Sequence, residues 1–244
     1  MSAPPPIWKD REAEFEDFAD AATELDARRL LSGVALLIAA LVLGLLVGSP
    51  GIAGTDRSVL GGMLAMRTPG LTTAMLVVTN AFSPTNAIAL SLLIGILGLG
   101  LGGSRRESVF VPGAMLLSAA ITSVVKLAIG RIRPEMPDRL VVELSHSYPS
   151  GHTTAAASVA AAGAILVLAN LRRRAEAAGD TERFLLQPGR GTTALVVAGA
   201  ALLTALIAFT RVYLAAHWLS DVVGGALVGG ATSLILAELF FRDV

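Results

Sequence analysis

Residues 68–104 read TPGLTTAMLVVTNAFSPTNAIALSLLIGILGLGLGGS and contain no Asp, Glu, Lys or Arg. A helix needs about 20 predominantly apolar residues to cross a bilayer. The stretch is therefore too long for one such helix and too short for two comfortable ones. Pro84 divides it, because a proline starts a helix more readily than it continues one. We expect a membrane span at Thr85–Gly103 and a shorter helix at Thr68–Phe82 that lies at the membrane surface or dips into it.

Five further charge-free stretches are long enough to be membrane spans. They are Leu30–Thr55, Ser108–Val125, Thr153–Leu171, Gly191–Thr210 and Val222–Ala237. The chain of 244 residues is 54% hydrophobic and 16% charged, whereas a soluble domain is about 45–50% apolar and about 25% charged. The sequence therefore predicts an all-α membrane protein, a six-helix transmembrane bundle with a short surface helix between its first and second spans.

The positions of Lys and Arg give this bundle an orientation. Cytoplasmic loops of membrane proteins carry an excess of these residues. With six spans, 12 of the 19 basic residues fall on one side: Lys9, Arg11, Arg28, Arg29, Arg105, Arg106, Arg172, Arg173, Arg174, Arg183, Arg190 and Arg242. A seventh span at Thr68–Phe82 would move Arg105, Arg106 and Arg172–Arg174 to the other side, so we reject it. Both termini are expected in the cytoplasm, with the protein in the plasma (inner) membrane.

The first 29 residues are expected to form a segment separate from a membrane domain at 30–244. The segment is acidic, and its apolar residues recur at three- and four-residue steps, as on one face of a helix: Phe15, Phe18, Ala22 and Leu25. No small-residue cleavage site of the A-x-A kind precedes the first span, so that span is interpreted as an uncleaved anchor. A cytoplasmic helix packed on the membrane surface is the simplest interpretation of the segment. A contact with a partner or with a second copy in a homodimer is the alternative.

Composition excludes several classes of function. The formal net charge is +0 at pH 7, so no basic field is present to hold nucleic acid. Cysteine is absent, which excludes disulfides, thiolate metal sites and thiol nucleophiles. The three histidines are His146, His152 and His217, too few for a histidine-rich metal cluster. Abundant Ala, Gly and Arg with little Lys are typical of a GC-rich bacterial genome.

Three polar clusters fall on the outer side of the six-span bundle. They are Lys126–Pro134, Tyr148–His152 and Thr210–Asp221. Ionisable residues near membrane spans are costly and are therefore candidates for function. Lys126 and Arg133 are seven residues apart and share a face if the helix continues that far, while Arg211 comes from another span. Three converging cations suit a phosphate, since Arg offers forked donors and Lys a point charge.

The same clusters contain a candidate nucleophile. His217 and Asp221 are four residues apart, on one face of a helix. An Asp that accepts from one ring nitrogen fixes the tautomer and leaves the other nitrogen free to attack. His152 is then available as an acid for the leaving oxygen. Ser150 and Gly151 lie at a predicted helix start, where free backbone N–H groups favour anions.

Each of these features, taken alone, has a simpler interpretation. A single histidine at a helix end is usually structural, and a His–Asp pair at this spacing is often only a surface hydrogen bond. An arginine at the interface can extend its head group toward lipid headgroups, and a lone Ser-Gly-His is more often a helix cap. The structural interpretation requires several coincidences on one side of the membrane, so a functional site is favoured. His146 is expected to be structural in its loop, with a headgroup contact as the alternative.

The three clusters together resemble the signature of the type 2 phosphatidic acid phosphatase superfamily, which also includes vanadium haloperoxidases. The matching parts are Lys126-x6-Arg133-Pro134, Pro149-Ser150-Gly151-His152 and Arg211-x5-His217-x3-Asp221. Their order and internal spacings agree, and the resemblance covers about Thr55 to Phe241, including the six-helix plan. There are two departures. Thr210 stands where the family usually has serine, and a polar loop at Arg172–Arg190, expected in the cytoplasm, lengthens the interval between the second and third parts.

This resemblance implies a role for each residue of the signature. His217 would be the nucleophile that forms a phosphohistidine, Asp221 would orient it, and His152 would protonate the leaving group. The phosphoryl oxygens would be held by Lys126, Arg133, Ser150, Gly151 and Arg211. No metal and no other cofactor is implied, because cations and amides supply the charge stabilisation that a metal would otherwise give.

The implied function is that of an integral membrane lipid phosphatase acting on the outer leaflet. A site at the rim of the bilayer suits a lipid whose tail stays in the membrane. A polyprenyl diphosphate such as the undecaprenyl carrier is favoured over phosphatidylglycerol phosphate and phosphatidate, although no residue can be tied to that choice. A vanadate-dependent haloperoxidase is disfavoured by the six spans. A non-catalytic lipid-binding or transport protein would not need His152 or the His217–Asp221 pair.

Overall fold

The computed structural model describes residues 8–100, 104–135, 138–177 and 188–241, with the side chains from residue 27 onward except that of residue 176. Every regular element within these ranges is an α-helix, so the all-α prediction is confirmed. The helices are α1 (Trp8–Leu46), α2 (Pro50–Ala65), α3 (Pro69–Ala81), α4 (Pro84–Gly100), α5 (Arg105–Ile129), α6 (Gly151–Ala177), α7 (Arg190–Tyr213) and α8 (Leu219–Phe241).

Five of these helices are long and apolar enough to cross a membrane by themselves: α5, α6, α7, α8 and the Ala27–Leu46 part of α1. Helices α3 and α4 meet the same requirement only as a pair, and they are bent by 51° where they join. The bundle has six spans when this bent pair counts as one. The division at Pro84 agrees with the prediction. Residues 101–103, the predicted end of the second span, lie outside the described residues, as do residues 178–187 of the predicted polar loop.

The N-terminal half departs from the predicted boundaries. Instead of one span over Leu30–Thr55, α1 ends at Leu46 and α2 begins at Pro50. Proline suits the first turn of a new helix but interrupts an existing one, which explains the break. Two helices, α2 and α3, therefore lie between α1 and α4 where one short helix was predicted. At its other end α1 begins at Trp8, so its backbone continues through residue 29 without interruption.

Helix ends also place the polar clusters differently from the sequence interpretation. A capping box starts α5, with the Glu107 amide donating to Ser104 Oγ at 3.3 Å. Gly130, with φ of 63°, ends α5 in the left-handed conformation. Arg133 therefore lies in the following loop and does not share a helix face with Lys126. Likewise α8 begins at Leu219, so His217 precedes the helix that carries Asp221.

Helix α8 packs closely against α6 and α1 and has α5 as a further neighbour. Small residues let membrane helices approach each other. A Cβ atom on Gly225 would lie 2.7 Å from the Ser150 carbonyl oxygen, and one on Gly229 would lie 2.7 Å from Ala157 Cβ. This packing brings the starts of α6 and α8 to the same end of the bundle as the ends of α5 and α7. The described residues of the loop between α5 and α6 lie at that end.

Candidate active site

His217 and Asp221 face each other across the start of α8. His217 Nδ1 lies 3.4 Å from Asp221 Oδ2, and both side chains are buried. The same carboxylate oxygen accepts from the Trp218 amide at 2.9 Å and from the Ser147 hydroxyl. A carboxylate only accepts hydrogen bonds, so this pairing places the ring proton of His217 on Nδ1. Nε2 is left with a lone pair.

Arg133 occupies the Nε2 side of the ring. Its Nη1 atom lies 3.0 Å from His217 Nε2 and donates to the Ala216 carbonyl at 2.7 Å. Its Nε atom donates to the Ser145 carbonyl at 2.7 Å. A guanidinium has donors and no acceptor, so Nε2 must be the acceptor here. The tautomer indicated by Asp221 is thus also the one that Arg133 requires.

The electrostatics of the pair favour a neutral imidazole. Burial lowers the pKa of His217 from 6.5 to about 3, because the hydrogen bond and charge of Asp221 oppose burial only in part, and Arg133 and Arg211 lower it further. Burial also lowers the pKa of Arg133, against the attraction of Glu143 and Asp221. His217 is therefore uncharged at neutral pH, which is the state in which an imidazole can attack.

Two further cations of the signature reach the same end of the bundle. Lys126 Nζ donates to the His146 carbonyl at 2.5 Å; the role of the His146 side chain stays a prediction. Arg211 is 1% exposed, and its Nη1 atom donates to Thr79 Oγ1 at 2.8 Å. The three cations predicted from two separate segments of the sequence are therefore assembled in one place.

Glu143, which is not among the predicted site residues, lies among these cations. Its Oε1 atom accepts from Arg211 Nη2 and is 3.9 Å from His152 Nδ1. Its Oε2 atom is 3.8 Å from Arg133 Nη2. The carboxylate thus contacts or approaches groups predicted to handle phosphate. Sequence gives no signal for it, because Glu143 lies in a polar loop outside the three clusters.

The start of α6 differs in detail from its predicted role. Ser150 is fully buried, its amide donates to the Asp221 carbonyl at 2.9 Å, and its hydroxyl accepts from Thr153 Oγ1 at 3.1 Å. Its N–H is therefore engaged, and the structure gives Ser150 a capping position. Gly151 and His152 line the adjacent cavity, so the first turn of α6 faces it through these two residues.

The cavity itself has a volume of about 320 Å³. Its polar end is formed by Lys126, Arg133, Glu143, His152 and His217. From there it follows α5 through Thr122 and Ala119 to Met115, a distance of about 16 Å at the helical rise of about 1.5 Å per residue. Its lining becomes less polar along this path. Its shape therefore suits a molecule with a charged head and an apolar extension.

Arg131 and Asp56 are two more charged residues that are not among the predicted site residues. Arg131 lies within the first polar cluster and forms an ion pair with Asp221 at 2.6 Å. Asp56 directly follows the first charge-free stretch and pairs with Arg131 at 2.6 Å. Their sequence positions alone do not predict these contacts.

Within the ranges that the structure describes, no three His, Asp or Glu side chains are grouped so as to hold a metal ion. The expected absence of a metal stays a prediction.

Comparison with known proteins places this arrangement in a family. The sequence model of the PAP2 superfamily matches residues 108–244. Phosphatidylglycerophosphatase B of Bacillus subtilis (strain 168) is 25% identical over 196 residues, which are 80% of this chain and 88% of that protein. The crystal structure of a transmembrane PAP2-type phosphatidylglycerolphosphate phosphatase from Bacillus subtilis superposes with a TM-score of 0.74 at 22% identity, covering 87% of this chain and 98% of the other.

Proposed function

The chain belongs to the PAP2 superfamily and is a membrane lipid phosphatase, and from this we propose that it dephosphorylates phosphatidylglycerol phosphate through a phosphohistidine on His217. The names of the two Bacillus subtilis proteins support this substrate. They do not support the polyprenyl diphosphate that the sequence interpretation favours. That lipid becomes the comparison substrate in the test.

The observation that carries the proposal is the His217–Asp221 pair, whose free nitrogen points at the cations. In the first step Nε2 forms a bond to phosphorus while the bond from phosphorus to the lipid oxygen breaks. His152 gives its proton to that oxygen, and the lipid alcohol leaves. The Nδ1 proton stays on the ring, where Asp221, at 3.4 Å, stabilises the positive charge that develops.

In the second step a water molecule attacks the phosphohistidine. His152, now neutral, takes a proton from the water as a new bond from oxygen to phosphorus forms and the bond from Nε2 breaks. Inorganic phosphate leaves, and His152 is again protonated for the next cycle. His152 lines the same cavity as His217, as both steps require.

The cations hold the phosphoryl group in both steps. Lys126, Arg133 and Arg211 neutralise its oxygens, and the first turn of α6 at Gly151 offers backbone N–H groups. Preorganised donors of this kind stabilise the charge that builds up on a transferring phosphoryl group. Glu143 has to give up its place near these cations when the phosphate enters, because two anions cannot share them.

We infer from charge that the site faces outward. The opposite end of the bundle carries the basic residues that the positive-inside rule assigns to the cytoplasm: Arg105, Arg106, Arg172, Arg173, Arg174 and Arg190. The cavity supports a lipid substrate, since it leads from the cations along α5 into the membrane-spanning region. The phosphate would then lie at the outer rim while the acyl chains stay in the bilayer.

The test measures phosphate release from phosphatidylglycerol phosphate, phosphatidate and undecaprenyl diphosphate, together with trapping of a radiolabelled phosphoenzyme. Phosphatidylglycerol phosphate should be the preferred substrate, and His217→Ala should form no phosphoenzyme. Turnover should survive EDTA and be inhibited by vanadate, which resembles the transition state. A labelled intermediate in His217→Ala, or activity that EDTA abolishes and Mg²⁺ restores, would overturn the mechanism. Higher kcat/KM on the polyprenyl diphosphate would overturn the substrate assignment alone.

A further inference from the structure

Arg131 joins two buried carboxylates through the two arms of its guanidinium. Nη1 donates to Asp221 Oδ1 at 2.6 Å, and Nη2 donates to Asp56 Oδ2 at 2.6 Å. The side chain of Asp221 is 0% exposed and that of Asp56 is 3% exposed. Arg131 thus holds the carboxylate oxygen that faces away from His217. Both oxygens of Asp221 are engaged.

Asp56 also fixes the start of α8. Its Oδ1 atom accepts from the Ser220 amide at 2.9 Å, and its Oδ2 atom accepts from the Ser220 hydroxyl at 2.6 Å. A carboxylate near the first turn of a helix satisfies a free N–H group and complements the helix dipole. Here the carboxylate comes from another helix, α2. The residue next to Asp221 is therefore held from outside α8.

Burying the charges of Asp56, Asp221 and Arg131 costs free energy, which argues against an incidental arrangement. Burying a charge is unfavourable unless it is paired and hydrogen-bonded. Asp56 lies on α2, outside the residues 108–244 that match the family, and neither Asp56 nor Arg131 lines the cavity. They do not contact the position of the phosphate. What they do contact is the carboxylate that orients His217.

We propose that Asp56 and Arg131 are positioning residues of the phosphatase, which set the orientation and effective charge of Asp221 and through it act on His217. The inference rests on the proposed role of His217 as nucleophile. Because Asp56 shares the guanidinium, Arg131 neutralises Asp221 only in part. Asp221 then keeps enough negative charge to support the imidazolium that forms when Nε2 bonds to phosphorus.

Charged and titratable side chains lie around His217 on several elements, and Asp56 on α2 lies behind Asp221. Those around His217 are Lys126 on α5, His152 on α6, Arg211 on α7, Asp221 on α8, and Arg131, Arg133 and Glu143 in the loop after α5. The signature cations are placed to hold phosphate, so changing them should alter KM as well as kcat. The side chains of Arg131 and Asp56 contact Asp221, the residues around the start of α8 and the Val47 carbonyl. They do not line the cavity, so changing them should alter kcat alone.

The experiment compares Asp56→Asn, Arg131→Gln and the double variant with wild type on a lipid phosphate and on nitrophenyl phosphate. Each single variant should lose at least about tenfold in kcat and in the rate of phosphoenzyme formation, with KM changed by no more than about twofold. The double variant should lose less than the product of the two single losses, because Asp56 acts in part through Arg131. Arg131→Lys keeps the charge but not the fork, so it should recover part of the rate.

The pH profile separates positioning from simple structural support. Without Arg131 the negative charge of Asp221 acts fully on His217, so the acidic limb of kcat/KM should move to higher pH in Arg131→Gln. In Asp56→Asn, the guanidinium of Arg131 pairs only with Asp221, so the acidic limb of kcat/KM in this variant should not move to higher pH. A residue that only stabilises the fold would move neither limb.

Glu107→Gln is the matched control, because Glu107 is 5% exposed and pairs with Arg173 at the opposite end of the bundle. It should lower the melting temperature in detergent without lowering kcat per vanadate-titrated active site. A wild-type kcat in Asp56→Asn would overturn the inference. So would a loss of total activity that is fully explained by a smaller number of titrated sites. The inference would also fail if Asp56→Asn lowered kcat by the same factor in the Arg131→Gln background as in wild type. The absence of a wild-type phosphoenzyme would instead overturn the proposed function, and this inference with it.

Discussion

Arg133 Nη1 lies 3.0 Å from His217 Nε2, the nitrogen that is proposed to attack phosphorus. The lone pair of the nucleophile is therefore held by a donor in the free protein. A phosphoryl group that enters must come between these two residues, so that Arg133 exchanges its bond to Nε2 for bonds to phosphoryl oxygens. The same movement frees the nucleophile and neutralises the group it attacks.

The leaving group should determine how much His152 matters. His152→Ala should lower kcat on a lipid monophosphate by about 10²–10⁴-fold, the usual range for general acid catalysis. Nitrophenolate departs without a proton, so the loss on nitrophenyl phosphate should be much smaller. Parallel kinetics on the two substrates check this. Equal losses on both would count against the acid role of His152.

The low pKa of His217 should appear as a pH-dependent stability. Its pKa is about 3 in the folded protein against an ordinary 6.5, so below pH 6.5 the unfolded chain binds a proton that the folded chain does not. The stabilising contribution is complete above 6.5 and is lost as the pH falls toward the folded value. His217→Asn should therefore lose less stability than wild type between pH 7 and 5, measured by thermal unfolding in detergent.

His146→Ala is the control for that measurement, because the side chain of His146 is exposed. It should keep the wild-type dependence of stability on pH. A His217→Asn curve parallel to wild type would mean that His217 titrates normally in the folded protein.

Removing the charge of Glu143 should strengthen anion binding. Glu143 lies 3.8 Å from Arg133 and 3.9 Å from His152 and pairs with Arg211, so its carboxylate competes with phosphate for them. In Glu143→Gln, vanadate should inhibit about three- to tenfold more tightly, on the order of the interaction between two unit charges about 4 Å apart in water. Inhibition constants for vanadate and inorganic phosphate give the measurement, with Glu107→Gln as control. Weaker inhibition in Glu143→Gln would show that Glu143 supports the anion site.

Single cysteines should report which side the site faces, since the natural chain has no cysteine. Leu144 is 97% exposed in the loop over the site, and Ala177 is exposed at the far end of α6. Leu144→Cys should react with an impermeant thiol reagent in intact cells, whereas Ala177→Cys should react only after lysis. The opposite pattern would reverse the orientation.

The spans and the signature could be predicted because each depends on a short stretch of sequence. Charge-free length identifies a membrane helix, and Pro84 marks the break between α3 and α4. The extra helix α2 is not predicted, because its first residues, 50–55, belong to the same charge-free stretch as the span in α1. Only the Pro50 start, a local backbone effect, divides them.

The contacts within the site depend on tertiary structure, and spacing predicts them poorly. Lys126 and Arg133 do lie at one site, but Arg133 reaches it from the loop that follows the helix end at Gly130 and not along a shared helix face. Ser150 has the predicted position at a helix start, yet its amide donates to the Asp221 carbonyl and is not free for an anion. Glu143 and Asp56 reach the site from segments whose sequence has no pattern that points there.

The tight fit of α8 against α6 at Gly225 and Gly229 bears on how the protein is made. Chains emerge from the ribosome N-terminus first, so α5, α6 and α7 with their cations enter the membrane before α8. Asp221 is inserted with α8, and Gly225 and Gly229 let this helix pack closely against α6. A nascent chain that stops before residue 219 already has its phosphate-binding cations but lacks the carboxylate that orients His217. Under the proposed mechanism, catalysis therefore has to wait until α8 has been inserted.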